Sequence, residues 1–460
     1  MDIDSPLTRE AIAYTWRQLL TRAGADPDDP PLRLVYAASQ GPTSTVELCI
    51  HPCAPAAWGD LLTSAPLSLR WVAASDALPP GVHMLFGEAI PVIFWSSDAD
   101  PDHTPFATIT ADGSVVFYAD IIAATFFMLT RWEESVVPTR DAHVRFPATA
   151  SLSHRQGFLD WPVVDMYALI LRAWIQVLVP GWHPQRRQFA VKLSHDIDLL
   201  RSRPSPRLTI KRLVADIRDQ HDITWIKSAG LDYILDMMGE RTSPYLLGVY
   251  QLAGLTRKYG MESAFYMMAA SPGIPDNDYD LDSPLVRCCI ADLQRRGFEM
   301  GFHPSYHTLN NPARLAAEKA RLDALLGSTH YGGRQHFLRF EAPFTWQHWE
   351  QVGLTYDSTL GYADYEGFRC GTCHPFRPFD VTLNRELHLE EWPLIVMDGT
   401  LYRYRRLEPQ QGQARMLELA QRCRQVEGVF TLLWHNSSLC GDWRPWVDTY
   451  EQTLERLASL

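Results

Sequence analysis

Asp196 and Asp198 close an apolar run, Val191-Lys192-Leu193-Ser194-His195, that has the composition of a buried strand. Alternate strand residues project to one face, so the two carboxylates point into one pocket if the extended geometry persists that far. Neighbouring carboxylates raise each other's pKa and burial penalises both charges, a cost that a metal ion would relieve. Two further donors follow the strand candidate at 297–302: His303 and His307, in His303-Pro304-Ser305-Tyr306-His307. On a helical turn or in a tight loop this spacing puts both imidazoles on one face, as a single ion requires. Two His and one Asp leave coordination positions open for water and substrate, the arrangement of a catalytic ion. A carboxylate that does not ligate can take a proton from water. His435, closing the run Val429–Trp434, titrates in the range that suits a general acid.

Chemistry of this kind needs strand ends gathered at one edge of a sheet. From residue 188 the chain alternates strand candidates (188–194, 262–268, 297–302, 335–340, 354–360, 387–396, 429–434) with helical periodicity at 245–259, 284–296, 312–326 and 409–427. Seven such units predict an α/β fold with a distorted (β/α)7-type barrel, related to the (β/α)8 barrel but incomplete; a doubly wound open sheet is the alternative. The first 185 residues read differently. A surface helix over 7–24 precedes short β-rich runs at 32–38, 45–50, 84–87, 91–96, 106–110 and 115–118. Asp120 is placed to cap an apolar helix through 121–129, and a second apolar helix spans 161–179. The polar stretch between them, with His143, Arg145 and His154, reads as a solvated or domain-facing loop. Breakers in Val179-Pro180-Gly181-Trp182-His183-Pro184 put a boundary near 185: an α+β accessory domain over 1–185, a catalytic barrel over 186–460.

The chain of 460 residues is 46% hydrophobic and 21% charged, with a net charge of −12, which argues against nucleic acid as a main partner. Acid rather than Lys or Arg opens the sequence and no apolar signal core follows, so a cytoplasmic location is expected, with the eight cysteines reduced. The most apolar stretch, Met166 to Pro180, is too short to span a bilayer and reads as a core helix. The basic group Arg201, Arg203, Arg207, Lys211 and Arg212 reads first as a solvated face, leaving room for peripheral contact with an anionic membrane surface. Cys370-Gly-Thr-Cys373-His374 has the spacing of covalent c-type haem attachment, but a short match in a chain with no export signal favours packing. Oligomeric state is not legible.

These motifs together resemble the polysaccharide deacetylases, the carbohydrate esterases of NodB homology. The resemblance covers about 190–440. It makes Asp196 the base, and Asp198, His303 and His307 the metal ligands. It makes Arg339, in Leu338-Arg339-Phe340-Glu341-Ala342-Pro343, the residue that orients the base, and His435 in Leu433-Trp434-His435 the general acid. Glu391 in Glu390-Glu391-Trp392-Pro393 is the expected carboxylate tuning His435, with Asp398 as competitor. The implied activity is removal of N-acetyl groups from an amino sugar in a glycan or glycan precursor, with a divalent ion, zinc by default, and a carbohydrate as partner. The rival readings are hydrolysis of a non-sugar amide, and a non-catalytic glycan-binding or scaffold protein.

Overall fold

The run Val429-Phe-Thr-Leu-Leu433 is hydrogen-bonded along both edges, in parallel with Val396–Met397 on one side and with Ala190–Ile197 on the other. A strand enclosed on both sides reads as a continuous apolar stretch, as this one does. Ala190–Ile197 pairs with Glu262–Met267, and that strand with Glu299–Phe302, again in parallel, which completes a five-stranded sheet. Single bridges from Phe302 to Gly333 and from Gly333 to Asp357 carry the parallel sense further, and Tyr356–Asp357 pairs with Glu390–Glu391. Among the described residues no ladder joins Glu390–Glu391 to Val396–Met397, so the expected barrel is present as a mixed α/β fold with parallel sheets and no closed sheet. This computed structural model describes residues 6–37, 47–62, 69–82, 89–100, 102–111, 113–200, 243–273 and 276–460. The expected strand at 84–87 and the basic group from Arg201 to Arg212 lie outside them.

The crossover helices Pro244–Lys258, Pro284–Arg295, Pro312–Leu326 and Pro409–Gln425 all start on proline, whose missing N–H is no loss in a first turn. Ser283 and Asn311 accept hydrogen bonds from the open N–H groups of Val286 and Arg314. Val286, Cys289, Ile290 and Leu293 form the buried stripe of the second of these helices.

The expected strand at 335–340 is instead a 3₁₀ turn over His336–Leu338, with Phe337 and Leu338 left-handed at φ 60° and 52°. Gly333 explains how the chain arrives there. A Cβ at this position would lie 1.9 Å from the carbonyl oxygen of Phe302, so only glycine permits so close an approach to the strand that ends in His303.

In the amino-terminal region Arg33–Tyr36, Glu47–Ile50, Val115–Phe117 and Ala107–Ile109 form a four-stranded sheet, the last strand antiparallel. Asp120 caps Ile121–Leu129 by accepting from the Ala123 N–H. The buried apolar core continues from this region into the rest of the chain: Tyr14 stacks at a tilt on Phe379, ring centroids 5.1 Å apart, and Phe126 meets the same ring at 5.7 Å. Buried and half-buried ion pairs join the same halves. Glu134 lies between Arg131 and Arg369 at 2.8 and 2.6 Å, and Arg172 bonds Glu427 at 2.8 Å. Among the described residues no helix is long and apolar enough to cross a membrane.

Candidate metal centre

The parallel register aligns the carboxyl ends of the strands, and loops leaving that edge carry the polar side chains, as open and closed α/β sheets generally do. Asp196 lies in the last turn of pleat of Ala190–Ile197, and Asp198 follows immediately. His303 follows Glu299–Phe302, and His435 follows Val429–Leu433.

His303 Nε2 is 3.3 Å from Asp198 Oδ1 and 3.8 Å from Asp196 Oδ2. His336 Nε2 is 3.9 Å from Asp198 Oδ1, and the donor atoms of Asp198, His303 and His336 all lie within 4.8 Å of one another. Two ligands held at ordinary zinc distances on a tetrahedron are about 3.3 Å apart, so the three groups are spaced to share one ion. Asp198 Oδ1 and His303 Nε2 are buried without a hydrogen-bond partner among the described residues, a costly state that a cation would resolve. The other nitrogen of each imidazole has the oxygen partner that metal-binding histidines require. His303 Nδ1 faces the Arg334 carbonyl at 2.6 Å and His336 Nδ1 faces Asp276 Oδ1 at 3.1 Å, which leaves both Nε2 atoms turned to the centre. Burial opposes the charge of Asp198, but the nearby imidazoles of His303, His336 and His435 outweigh it, holding the carboxyl well below the usual range.

The arrangement differs from the expected one at three positions. His307 is exposed on the turn Tyr306–Thr308, its ring 5.3 Å from Tyr306, outside the donor group; His336 occupies the third position. Proline at 304 and the short 3₁₀ turn carry residue 307 outward, where a regular helical turn would have returned it. Arg339 does not reach Asp196. It donates through Nε to the His143 carbonyl at 2.9 Å and lies 3.9 Å over the Tyr306 ring, while the buried Arg334 donates through Nη1 to Asp196 Oδ1 at 2.9 Å. Glu391 is far inside the fold, accepting from Trp346 Nε1 at 2.9 Å and from the Leu360 N–H at 3.2 Å. Asp398 is the carboxylate on His435, at 2.8 Å from Nδ1.

Burial would depress the His435 pKa, yet Asp398, Asp198 and Asp196 together raise it to about 9. Its Nε2 lies 3.8 Å from Asp198 Oδ2, and the side chains of His435 and Asp198 keep 19% and 23% of their exposure, so solvent reaches the centre between them. A hollow of about 500 Å³ lined by Phe298, Glu299, Thr355 and Tyr356 opens at the other ends of the strands and touches none of these donors.

Sequence reasoning missed His336, Arg334 and Asp276. A signal for the first two is present: Arg334 and His336 stand two residues apart after the glycine pair 332–333, the spacing already noticed at Asp196 and Asp198.

The second donor group, Asp165, Cys373 and His374, includes part of the haem-like motif. Asp165 is bonded to Arg22 at 3.1 Å and to Thr372 Oγ1 at 2.6 Å, and His374 faces Arg187 and the Val426 carbonyl. Guanidinium groups already supply the positive charge there.

A family model described as a family of unknown function, DUF7033, matches residues 77–180. No curated protein matches the chain. Among solved structures, one from Mycobacterium smegmatis bearing the name polysaccharide deacetylase aligns with 61% of this chain and 87% of its own, at 18% identity and a TM-score of 0.40. Another of that name from Bordetella bronchiseptica, ascribed to O-antigen biosynthesis, aligns with 60% of this chain and 84% of its own, at 15% identity and a TM-score of 0.30. Likeness at this level assigns no activity.

Proposed function

We propose that the chain is a metal-dependent amide hydrolase that removes an N-acetyl group from an amino sugar in a glycan or glycan precursor. The observation that carries this reading is the convergence of Asp198, His303 and His336, with two of their donor atoms unpartnered, between a carboxylate held by arginine and an imidazole held by carboxylate. Residues 186–460 are the catalytic part, supported by the fact that all of these groups come from beyond residue 190.

Asp198, His303 and His336 would hold a divalent ion, zinc by default for two imidazoles and a carboxylate. When bound, it supplies Lewis acidity to the amide carbonyl and to the attacking water. Asp196 sits beside that position without belonging to the donor group, so it is the base. Arg334 fixes one of its oxygens and leaves Oδ2 facing the centre, 3.8 Å from His303 Nε2. His435 is the acid. Its ring is oriented by Asp398 through Nδ1, so Nε2 presents the proton that the departing amine takes.

The test is metal content and acetate release with a panel of N-acetylated sugars and sugar-free amides, for the parent and for Asp196→Asn. The reading expects about one ion per chain, acetate from acetylated sugars only, and no release by the variant. Full activity in Asp196→Asn would remove the assigned base, and turnover of the sugar-free amides alone would replace the substrate class.

A further inference from the structure

The polar segment that follows Trp132–Val136 has no part in the chemistry described so far, yet its tip reaches the metal centre from the amino-terminal region. Asp141 closes the tip on itself. Its Oδ1 accepts from the N–H groups of His143 and Arg145 at 2.8 and 2.9 Å, and its Oδ2 takes Arg145 Nε at 2.7 Å. Nη2 also lies 2.7 Å from Asp141 Oδ2, and both Nη arms reach beyond the segment. Nη1 donates to the Phe337 carbonyl at 3.1 Å, and Nη2 donates to Tyr404 Oη at 3.1 Å.

These two acceptors belong to different loops of the site. Phe337 directly follows the donor His336, their rings 4.5 Å apart, and Tyr404 closes the π-helical turn Thr400–Tyr404 that follows Asp398 and Gly399. The turn at 336–338 closes with hydrogen bonds from the Leu338 N–H to the Gln335 carbonyl and from the Arg339 N–H to the His336 carbonyl, at 3.0 and 3.3 Å, but in an unfavourable conformation. Phe337 and Leu338 are consecutive left-handed residues with side chains, a conformation that persists only where neighbours support it. Beside the Tyr306 ring on Phe337 and the apolar cluster around Leu338, three of these contacts involve the segment: Arg145 on the Phe337 carbonyl, the His143 ring packed 4.8 Å from Phe337, and Arg339 tied to the His143 carbonyl.

We infer that residues 137–146 are a built-in part of the catalytic site, and that Arg145 is a positioning residue which braces the His336 turn against the loop that carries Asp398. The inference rests on the proposed metal centre for its consequence, since the brace sets one metal donor and the partner of the general acid. It gives the amino-terminal region a role at the site, through the planar fork of one arginine. Lysine, a single point donor, cannot span the same three acceptors.

The experiment compares Arg145→Ala and Arg145→Lys with Arg172→Ala, which removes another buried arginine that pairs with Glu427 far from the donors. Cobalt(II) titration of the full chain is followed by visible absorption, with amide hydrogen exchange of the 335–340 and 398–405 segments measured on the metal-free protein. Arg145→Ala is expected to weaken cobalt binding about 10- to 100-fold, as loss of a supporting partner does, to alter the absorption bands, and to speed exchange in both segments. Arg145→Lys should be intermediate, and serves alone if the alanine variant does not fold. Arg172→Ala should lower thermal stability and leave the cobalt spectrum and both segments as in the parent. Cobalt affinity, spectrum and exchange equal to those of Arg172→Ala would overturn the brace. If the parent binds no cobalt, the metal reading fails while exchange still decides the brace: unchanged rates at 335–340 and 398–405 reject it, and faster rates in both uphold it.

Discussion

Asp398 takes two hydrogen bonds from His435, one from its backbone N–H and one from its ring Nδ1, both at 2.8 Å. One carboxylate therefore fixes the main chain, the ring plane and the tautomer of His435, the proposed acid. Asp398→Asn removes the charge that most strongly raises His435. Because the acid must be protonated, activity is lost on the alkaline side. The pH–rate profile of Asp398→Asn should show that limb moved to lower pH, with kcat reduced about 10²- to 10⁴-fold. Glu391→Gln should leave the limb where it is; a shift there instead would return the tuning role to Glu391.

The proposed ion would distinguish two histidines. Isothermal titration with zinc should show His336→Ala losing at least the roughly 10- to 100-fold in affinity that removal of even a supporting group costs, while His307→Ala binds as the parent does. The reverse result would mean that the exposed turn at 306–308 refolds inward around the ion.

Arg334 donates to Asp196, to the Ser358 carbonyl and to Ser358 Oγ from a fully buried position. Arg334→Lys keeps the charge and loses the fork. Steady-state kinetics should show kcat falling at least about 10-fold with zinc affinity retained, since the donors themselves are untouched. Unchanged kcat would detach Arg334 from the base.

Glu134 is wholly buried between Arg131 and Arg369, and although burial opposes its charge, those two guanidiniums pull its pKa down to about 2. Glu134→Ala leaves two buried cations facing each other. Urea denaturation at neutral pH should show a loss of about 3–5 kcal/mol. The parent's own benefit from this group is present above the ordinary carboxylate pKa and disappears as pH falls toward about 2.

Asp357 and Glu391 face each other across a parallel pair, both buried; burial raises both above the ordinary carboxylate range, and the nearby Asp357 charge raises Glu391 further. A raised carboxyl stabilises the fold below its unfolded pKa and stops doing so as pH climbs through the folded one. Asp357 Oδ1 accepts from Thr359 while Oδ2 has no partner among the described residues, so Asp357→Asn places an NH₂ where no donor points. Denaturation at pH 5 and pH 8 should show the variant gaining on the parent by on the order of 1 kcal/mol or more between the two. An equal pH dependence would mean that the pair does not hold a proton.

The strand-end residues were legible because their neighbours are strands that run where apolar alternation put them: Ala190–Ile197 delivers Asp196 and Asp198, Glu299–Phe302 delivers His303, and Val429–Leu433 delivers His435. Helix limits were legible for the same reason, with proline starts at 244, 284, 312 and 409. What could not be read was the stretch from Gly332 to Phe340. Its residues pass beside the sheet by a backbone approach that depends on the absence of a side chain at Gly333, and then turn through left-handed geometry that local propensity disfavours. Tertiary contacts determine that turn, and so His336 stood in sequence inside an ordinary strand candidate at 335–340, with Arg334 just before it. The His143 segment was hidden similarly: its partners are roughly two hundred residues away.

Because the interior runs unbroken from Tyr14 through Phe126 to Phe379, with Arg22, Arg131 and Arg172 anchored on partners from both halves of the chain, the two halves cannot be traded like interchangeable cassettes. A polypeptide begun at residue 186 would bring to water the apolar face that the first helices cover, along with acidic and basic groups deprived of their counterparts. Lineages that reshuffle this chain must inherit the leading 185 residues with the rest, or rebuild the surface they leave behind.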